Sequence, residues 1–157
     1  MRRDLDSPIA TEAFAGRLAA HLKAGLMIHL EGDLGAGKTT FCRGLLRAFG
    51  HEGAVKSPTF TVVEPYHVAG LEIYHCDLYR LTDPEELDYM GFEDYVHDRS
   101  ICLVEWPLKG KGVLPPADLV ISLSAGLGSA RELKLGATSE VGLAILSAVQ
   151  AAEGKVN

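Results

Sequence analysis

Eight consecutive residues, Gly-Asp-Leu-Gly-Ala-Gly-Lys-Thr, combine the residue types that hold a chain of phosphates. Their spacing fits the pattern G-x-x-x-x-G-K-[S/T] without a mismatch. Glycines allow successive backbone N–H groups to converge on an anion, and the positive end of a following helix points to the same place. The stretch predicts a nucleotide-phosphate site made by Gly32, Asp33, Leu34, Gly35, Ala36, Gly37, Lys38 and Thr39.

Two side chains of this motif are suited to the triphosphate itself. The Lys38 ammonium can reach the β- and γ-phosphates, and the Thr39 hydroxyl can ligate Mg²⁺. The alternative is an ordinary glycine turn before a helix. Because a chance match to the whole pattern has odds of about one in a few hundred in a chain of this length, the motif favours nucleotide binding.

Two acidic residues are candidates to complete a magnesium and water site. A metal ion held by phosphates and one threonine usually needs a carboxylate at the tip of a neighbouring strand. Glu105 ends the apolar run ICLVE, and Asp77 follows the β-rich segment YHC. One acid can bind the metal while the other orients or deprotonates the attacking water. Each could instead only cap a loop.

The segment SPTFT, residues 57–61, follows the helix after the motif. Many nucleotide-binding proteins have a nucleotide-sensing loop at this place, so Thr59 or Thr61 could respond to the γ-phosphate. The alternative is that the segment simply begins a strand. The spacing does not favour one over the other.

Three further residues near these motifs have two interpretations each. Arg80 could neutralise phosphate charge or pair with a nearby glutamate. Trp106 could stack on a base or a partner, although a tryptophan in the core is the commoner outcome. His75 is expected to be structural rather than catalytic.

The motif lies between a predicted strand and a predicted helix. The apolar segment LMIHLE precedes it, and KTTFCRGLLRAF follows as a helix that Gly50 closes. Two β-rich runs, TFTVVEPY and LEIYHCDLY, flank HVAG and predict an antiparallel hairpin. Earlier, TEAFAGRLAAHLKAG predicts a helix from a cap at Thr11 to about Gly25.

The remaining segments continue this alternation. TDPEELDYM predicts a helix capped by Thr82 or Asp83, and ICLVEW predicts a buried strand. PADLVISLSA and RELKLGA predict two later strands, and SEVGLAILSAVQAAE predicts a final helix. Interleaved strands and helices predict one α/β domain over residues 1–157, a P-loop NTPase-like three-layer sandwich. The hairpin makes a mixed, mostly parallel sheet the expected arrangement.

Composition limits the partners. The chain has 157 residues, 47% apolar and 23% charged, with a formal charge of −6. An acidic surface disfavours unaided binding of nucleic acid, so a partner would hold most of any RNA. No secretory signal or membrane span is expected. The three cysteines, Cys42, Cys76 and Cys102, are expected to be buried free thiols, which indicates a reducing cytoplasm.

Four blocks in this order, GDLGAGKTT, SPTFTVVEPY, HCDLYRL and LVEWP, resemble the TsaE (YjeE) family of small bacterial ATPases, together with DPEEL, MGFEDY and GVLPPADLVISL. The similarity spans about residues 26–123. The resemblance implies an ATP-binding protein that acts with the TsaB–TsaD complex in modifying adenosine 37 of ANN-decoding tRNAs. The protein would contact the tRNA only indirectly, through that complex.

The resemblance also implies roles for individual residues. Thr39 and Glu105 would ligate Mg²⁺, and Lys38 and the loop amides would hold the phosphates of ATP. Asp77 would be the acid needed for hydrolysis, and SPTFT the switch-like loop. Thr40 matches the family's second threonine. Residues around Pro8 and Arg131 would border the adenine, in segments that match the family only loosely.

Two other functions stay open at this level. A small-molecule kinase would need a basic lid, and the segment 107–118 has two lysines and no arginine. A non-catalytic, nucleotide-gated adaptor would keep Lys38 and Thr39 but would tolerate the loss of Asp77. The preference for ATP over GTP depends on the resemblance, although the sequence has no N-K-x-D guanine-binding motif.

Overall fold

The computed structural model describes residues 1–155 and is built around one seven-stranded sheet. In chain order the strands are β1 (Arg2–Leu5), β2 (Leu26–Glu31), β3 (Val63–Val68), β4 (Leu71–Asp77), β5 (Ser100–Glu105), β6 (Leu119–Ala125) and β7 (Arg131–Ala137). The helices are α1 (Pro8–Ala19), α2 (Lys38–Ala48), α3 (Glu86–Tyr89) and α4 (Glu140–Gly154).

The strand order is β1-β7-β6-β2-β5-β4-β3. The four central strands, β6, β2, β5 and β4, pair in parallel. The β3–β4 hairpin and the β1–β7–β6 group are antiparallel. The predicted mixed α/β sheet is therefore confirmed, but half of the strand pairings are parallel rather than most of them. The three antiparallel pairs are the hairpins β3–β4 and β6–β7 and the edge pair β1–β7.

Alternate residues of the strands face two separate apolar layers, as the two-residue period of a strand requires. In β2, Leu26, Ile28 and Leu30 contribute to the larger core, together with residues of α1, α2 and α4. Met27 faces the opposite, smaller core, which the short helix α3 and the 3₁₀ turn Phe92–Tyr95 cover. The fold is thus a three-layer sandwich with one thick and one thin helical layer.

Two helices differ from their predicted bounds. α1 begins at Pro8, where the Ser7 hydroxyl accepts a hydrogen bond from the Ala10 amide at 3.1 Å. Serine as cap and proline at the first position make an earlier start than Thr11, and Thr11 is buried inside the helix. The helix ends at Ala19, short of Gly25.

The helix predicted in TDPEELDYM is a single turn. Glu85 immediately precedes α3, but the Asp83 carboxylate accepts a hydrogen bond from the Glu85 amide at 2.9 Å, so Asp83 caps this turn and Thr82 does not. Both still belong to the turn, since the Glu86 carboxylate accepts hydrogen bonds from their amides at 3.0 and 3.3 Å. The turn is stabilised from within, by a glutamate that bonds back to the preceding backbone.

Helices α1 and α2 cross at Gly44, where their backbones come close together. A Cβ atom at this position would lie 2.6 Å from the Glu12 carbonyl oxygen and 2.8 Å from the Ala15 Cβ. Both neighbours belong to α1 and cannot move away independently. The crossing matters for the site because α2 begins with Lys38.

We expect Gly44→Ala to lower the free energy of unfolding by about 1–2 kcal/mol, because the strain of overpacking exceeds the helix propensity gained. Urea denaturation followed by circular dichroism would measure the change. Gly16→Ala is the matched control, since its Cβ would meet only the Ala48 Cβ at 3.8 Å. That control should be neutral or stabilising by up to about 1 kcal/mol. Equal stability of the two variants would contradict the close crossing.

Two further expectations concern membrane-spanning helices and the cysteine thiols. Residues 1–155 contain no helix that is long and apolar enough to span a bilayer. Cys42, Cys76 and Cys102 are all buried and free, as predicted. Burial raises the pKa of the Cys42 and Cys76 thiols well above the ordinary value, so both stay protonated.

Candidate functional site

The predicted site residues meet at the carboxyl ends of the central parallel strands. β2 runs into the glycine loop, and β5 and β4 lie beside it in that order. Leu30 pairs with Glu105 across β2 and β5, and Glu105 pairs with Asp77 across β5 and β4. The two acids therefore lie on adjacent strand ends, next to the loop, which is where open α/β sheets bind their ligands.

The glycine loop depends on two positions at which the backbone conformation favours glycine. Gly32 has φ +146°, and a Cβ there would collide with the Leu123 carbonyl oxygen of β6. Gly37 has φ +105° and is the residue from which α2 starts. Both are conformations that favour glycine, and together they turn the chain sharply from β2 into α2.

Lys38 is enclosed within the loop, with 5% of its surface exposed. Its ammonium donates hydrogen bonds to the carbonyl oxygens of Gly32 and, at 2.9 Å, Asp33. It also lies 4.2 Å from the centre of the Trp106 ring. Burial lowers the pKa of Lys38, while the charges of Glu105, Asp77 and Asp33 oppose that shift.

Thr39 and Glu105 form an adjacent pair of oxygen donors. The Thr39 hydroxyl lies 3.2 and 3.1 Å from the two oxygens of the Glu105 carboxylate. Glu105 is 3% exposed and has a second contact, at 2.6 Å, with His75 Nε2. Hydroxyl and carboxylate oxygens are hard ligands of the kind that Mg²⁺ prefers, so the donor chemistry of this pair fits that metal.

Asp77 is bonded to the segment 57–61. Its Oδ2 accepts hydrogen bonds from the hydroxyls of Ser57 and, at 3.1 Å, Thr59. Its Oδ1 accepts a hydrogen bond from the Tyr79 amide at 2.9 Å. The predicted catalytic acid and the predicted nucleotide-sensing loop are therefore one hydrogen-bonded unit.

These groups surround a cavity of about 300 Å³. Most of the predicted residues line it; Gly32, Asp33 and Ala36 belong to the loop but do not. Thr61 is exposed and lines a neighbouring hollow with Lys56, Phe60 and Glu64. The predicted residues that line the cavity are Leu34, Gly35, Gly37, Lys38, Thr39, Thr40, Thr59, Asp77, Glu105 and Trp106.

Arg131 supports the loop from behind, at the start of β7. Its guanidinium donates hydrogen bonds to the carbonyl oxygens of Ala36 at 3.0 Å and Gly35 at 3.2 Å. These two loop carbonyls are thereby held on the side of β7. The resemblance placed Arg131 near the adenine, but its contacts with the loop backbone could not be inferred from spacing.

Other residues occupy places that the sequence left open. Trp106 is half-buried at the cavity wall, with its ring 5.0 Å from that of Tyr79, and it packs against the smaller core. Its backbone has φ +59°.

The Arg80 guanidinium lies 4.1 Å above the exposed Phe60 ring, and within residues 1–155 it makes no ion pair with a glutamate. Tyr79 was missed, because an aromatic residue in a loop has no periodic signal.

A second set of potential metal ligands lies beneath the cavity. One ligand atom each from Cys42, His75 and Glu105 fall within 4.8 Å of one another, and all three residues are buried. Burial raises the pKa of the Cys42 thiol well above its ordinary value, and the Glu105 charge raises it further. Mg²⁺ prefers oxygen donors to thiols, so of these three residues Glu105 is the one suited to that metal, together with Thr39.

The fold and the site together define an α/β protein in which a glycine loop faces two strand-end carboxylates. A family model described as "Threonylcarbamoyl adenosine biosynthesis protein TsaE" matches residues 5–133. The chain belongs to the TsaE family, which confirms the resemblance.

Individual relatives agree with this assignment. The tRNA threonylcarbamoyladenosine biosynthesis protein TsaE of Haemophilus influenzae is 52% identical over 83% of this chain and 82% of that protein. The protein of that name in Bacillus subtilis is 40% identical over 81% of this chain and 79% of that protein. The crystal structure of Bacillus subtilis YdiB superposes with a TM-score of 0.84 at 31% identity, covering 98% of this chain and 95% of that one.

Proposed function

We propose that this chain is a cytoplasmic, Mg²⁺-dependent ATPase of the machinery that makes threonylcarbamoyladenosine at tRNA position 37, acting with TsaB and TsaD. Membership of the TsaE family supports the pathway. The observation that carries the ATPase activity is the meeting of Lys38, Thr39, Glu105 and Asp77 around one cavity.

The loop and its lysine would bind the triphosphate. The α2 N-terminus presents its positive end to the cavity, and the Lys38 ammonium is buried at the same place. Backbone N–H groups and a buried cation favour an anion over a neutral ligand. The Arg131 contacts with Gly35 and Ala36 restrain the loop, which lowers the entropy lost on binding.

Thr39 and Glu105 would hold Mg²⁺, which when bound neutralises the charge that develops on the phosphates. Asp77 would orient or deprotonate the attacking water. Its hydrogen bonds with Ser57, Thr59 and the Tyr79 amide fix the direction of its carboxylate. Because two of these partners belong to the segment 57–61, a displacement of that segment would also move the acid. We therefore propose that the segment is a switch that aligns Asp77.

The need for partners follows from the charges around the cavity. Of residues 1–155, no arginine is among those that line it. An arginine that reaches the transferred phosphate accelerates hydrolysis about 10³–10⁵-fold in related chemistry. We therefore expect slow hydrolysis by the chain alone. The formal charge of −6 also supports a division of labour in which the partner holds the tRNA.

The test is ATP hydrolysis by the purified chain, with and without TsaB–TsaD, together with formation of the modified adenosine. We expect at least about tenfold stimulation by the complex, as a partner-supplied charge would give, and modified tRNA only when ATP and the chain are both present. Fast turnover without partners would contradict the proposal. Phosphoryl transfer to a small acceptor would indicate a kinase instead. An Asp77→Ala variant that still supports modification would indicate a nucleotide-gated adaptor.

A further inference from the structure

His75 is a fully buried polar residue directly beneath the metal-ligand pair. It lies in β4, two residues before Asp77, and its side chain is 0% exposed. Its cross-strand neighbour in β5 is Leu103, a residue of the larger core. An apolar side chain would suit these surroundings, so the presence of an imidazole requires a reason.

The ring has one strong contact. His75 Nε2 lies 2.6 Å from Glu105 Oε2. A carboxylate accepts hydrogen bonds, so Nε2 carries the proton and donates it. Nδ1 is then an acceptor, and among residues 1–155 it is one of two buried side-chain nitrogens without a hydrogen-bond partner. The ring therefore leaves one nitrogen unpaired and uses the other on Glu105.

We propose that His75 is a positioning residue for the Mg²⁺ site. Its Nε2–H holds Oε2 of Glu105 and so turns the carboxylate toward the Thr39 hydroxyl. Both Glu105 oxygens lie within 3.2 Å of that hydroxyl, and the bond from His75 prevents the carboxylate from rotating away. Hydrogen bonds from behind a ligand commonly orient it in this way. The inference rests on the proposed role of Glu105 as a metal ligand.

The alternative is that His75 only fills space in the core. Two amide substitutions separate these roles, because both are polar and both remain buried. In His75→Gln the amide nitrogen can reach the position of Nε2, whereas in His75→Asn it reaches only the position of Nδ1. Cys42→Ala is the control, since it alters the same buried cluster without removing the His75–Glu105 bond.

The measurement is nucleotide binding by calorimetry across a range of Mg²⁺ concentrations and in EDTA. For His75→Asn we expect a rise of about tenfold in the Mg²⁺ concentration that gives half of the Mg²⁺-dependent increase in nucleotide affinity. Tenfold is the lower end of the loss of metal affinity seen when such supporting hydrogen bonds are removed. Nucleotide affinity in EDTA should stay within about twofold. His75→Gln and Cys42→Ala should both lie within about threefold of the parent chain in their Mg²⁺ requirement.

The inference would be overturned if the Asn and Gln variants had the same Mg²⁺ requirement as each other, whether or not that requirement differed from that of the parent chain. So would a loss of affinity in EDTA as large as the loss in Mg²⁺. Glu105→Gln, measured alongside, separates the two levels of the proposal. If Glu105→Gln raises the Mg²⁺ requirement and His75→Asn does not, only the role of His75 fails. If neither variant changes it, the assignment of Glu105 to the metal fails as well.

Discussion

Replacing Asp77 with asparagine should reduce the rate of ATP hydrolysis at least about a hundredfold while Mg–ATP still binds, because a positioned general base contributes about 10²–10⁴ to a rate. Asparagine keeps the shape: its Oδ1 can accept from the Tyr79 amide, and its amide nitrogen, in place of Oδ2, can donate to the Ser57 hydroxyl oxygen. The substitution removes the charge that would draw a proton from water. The effect should therefore fall on turnover, with the dissociation constant within about threefold.

Single-turnover hydrolysis with TsaB–TsaD present would measure the rate, and calorimetry with a slowly hydrolysed ATP analogue would measure binding. Asp88→Asn, an exposed change of the same kind in α3, is the matched control. A rate for Asp77→Asn within about fivefold of the parent would remove Asp77 from the catalytic step. A loss of binding equal to the loss of rate would instead assign the residue to the structure of the segment 57–61.

Lys38→Met should weaken Mg–ATP binding by roughly a hundredfold or more. Lys38 is 5% exposed and its ammonium contacts the loop, where charge-assisted bonds to phosphate are worth about 1.5–3 kcal/mol each. Loss of one to two such bonds corresponds to about 3 kcal/mol, or about 150-fold in affinity. Methionine keeps most of the aliphatic length, so packing against the Trp106 ring should be retained.

The stability of Lys38→Met provides an internal check. Burial lowers the pKa of this lysine, which means that its charge is costly in the folded chain. Removing that charge relieves this cost but also removes the bonds to the Gly32 and Asp33 carbonyl oxygens, so the melting temperature should change little. Lys109→Met, an exposed change in the turn Pro107–Gly110, is the control for affinity. An affinity of Lys38→Met within about threefold of the parent would contradict the phosphate role of the loop.

The parts of the site that could be predicted were those set by local spacing. The glycine loop follows from eight consecutive residues. Glu105 follows from its position at the end of an apolar run, and Asp77 from its position after a β-rich segment. Parallel strand ends meet at one edge of a sheet, so two separate strand-end acids could be expected near one loop. The structure brings both beside it, at adjacent strand ends.

The parts that could not be predicted depend on contacts between distant segments. β1, with the sequence RRDL, has no apolar alternation and is a strand because it pairs with β7. Thr61 is only two residues from Thr59, yet the turn of the chain before β3 places it outside the cavity. The hydrogen bond from Arg131 to the Ala36 carbonyl oxygen joins residues 95 positions apart, and no local pattern encodes such a contact.

The hydrogen bonds from Arg131 to the loop have a consequence for folding during translation. The loop at 32–39 is translated early, but the guanidinium that restrains Gly35 and Ala36 is added almost a hundred residues later. β1 likewise has to wait for β7, its partner in the sheet. A nascent chain that has left the ribosome only as far as β6 therefore lacks the Arg131 hydrogen bonds that restrain its glycine loop. The loop should therefore reach its final form only after β7 has been translated and has joined the sheet.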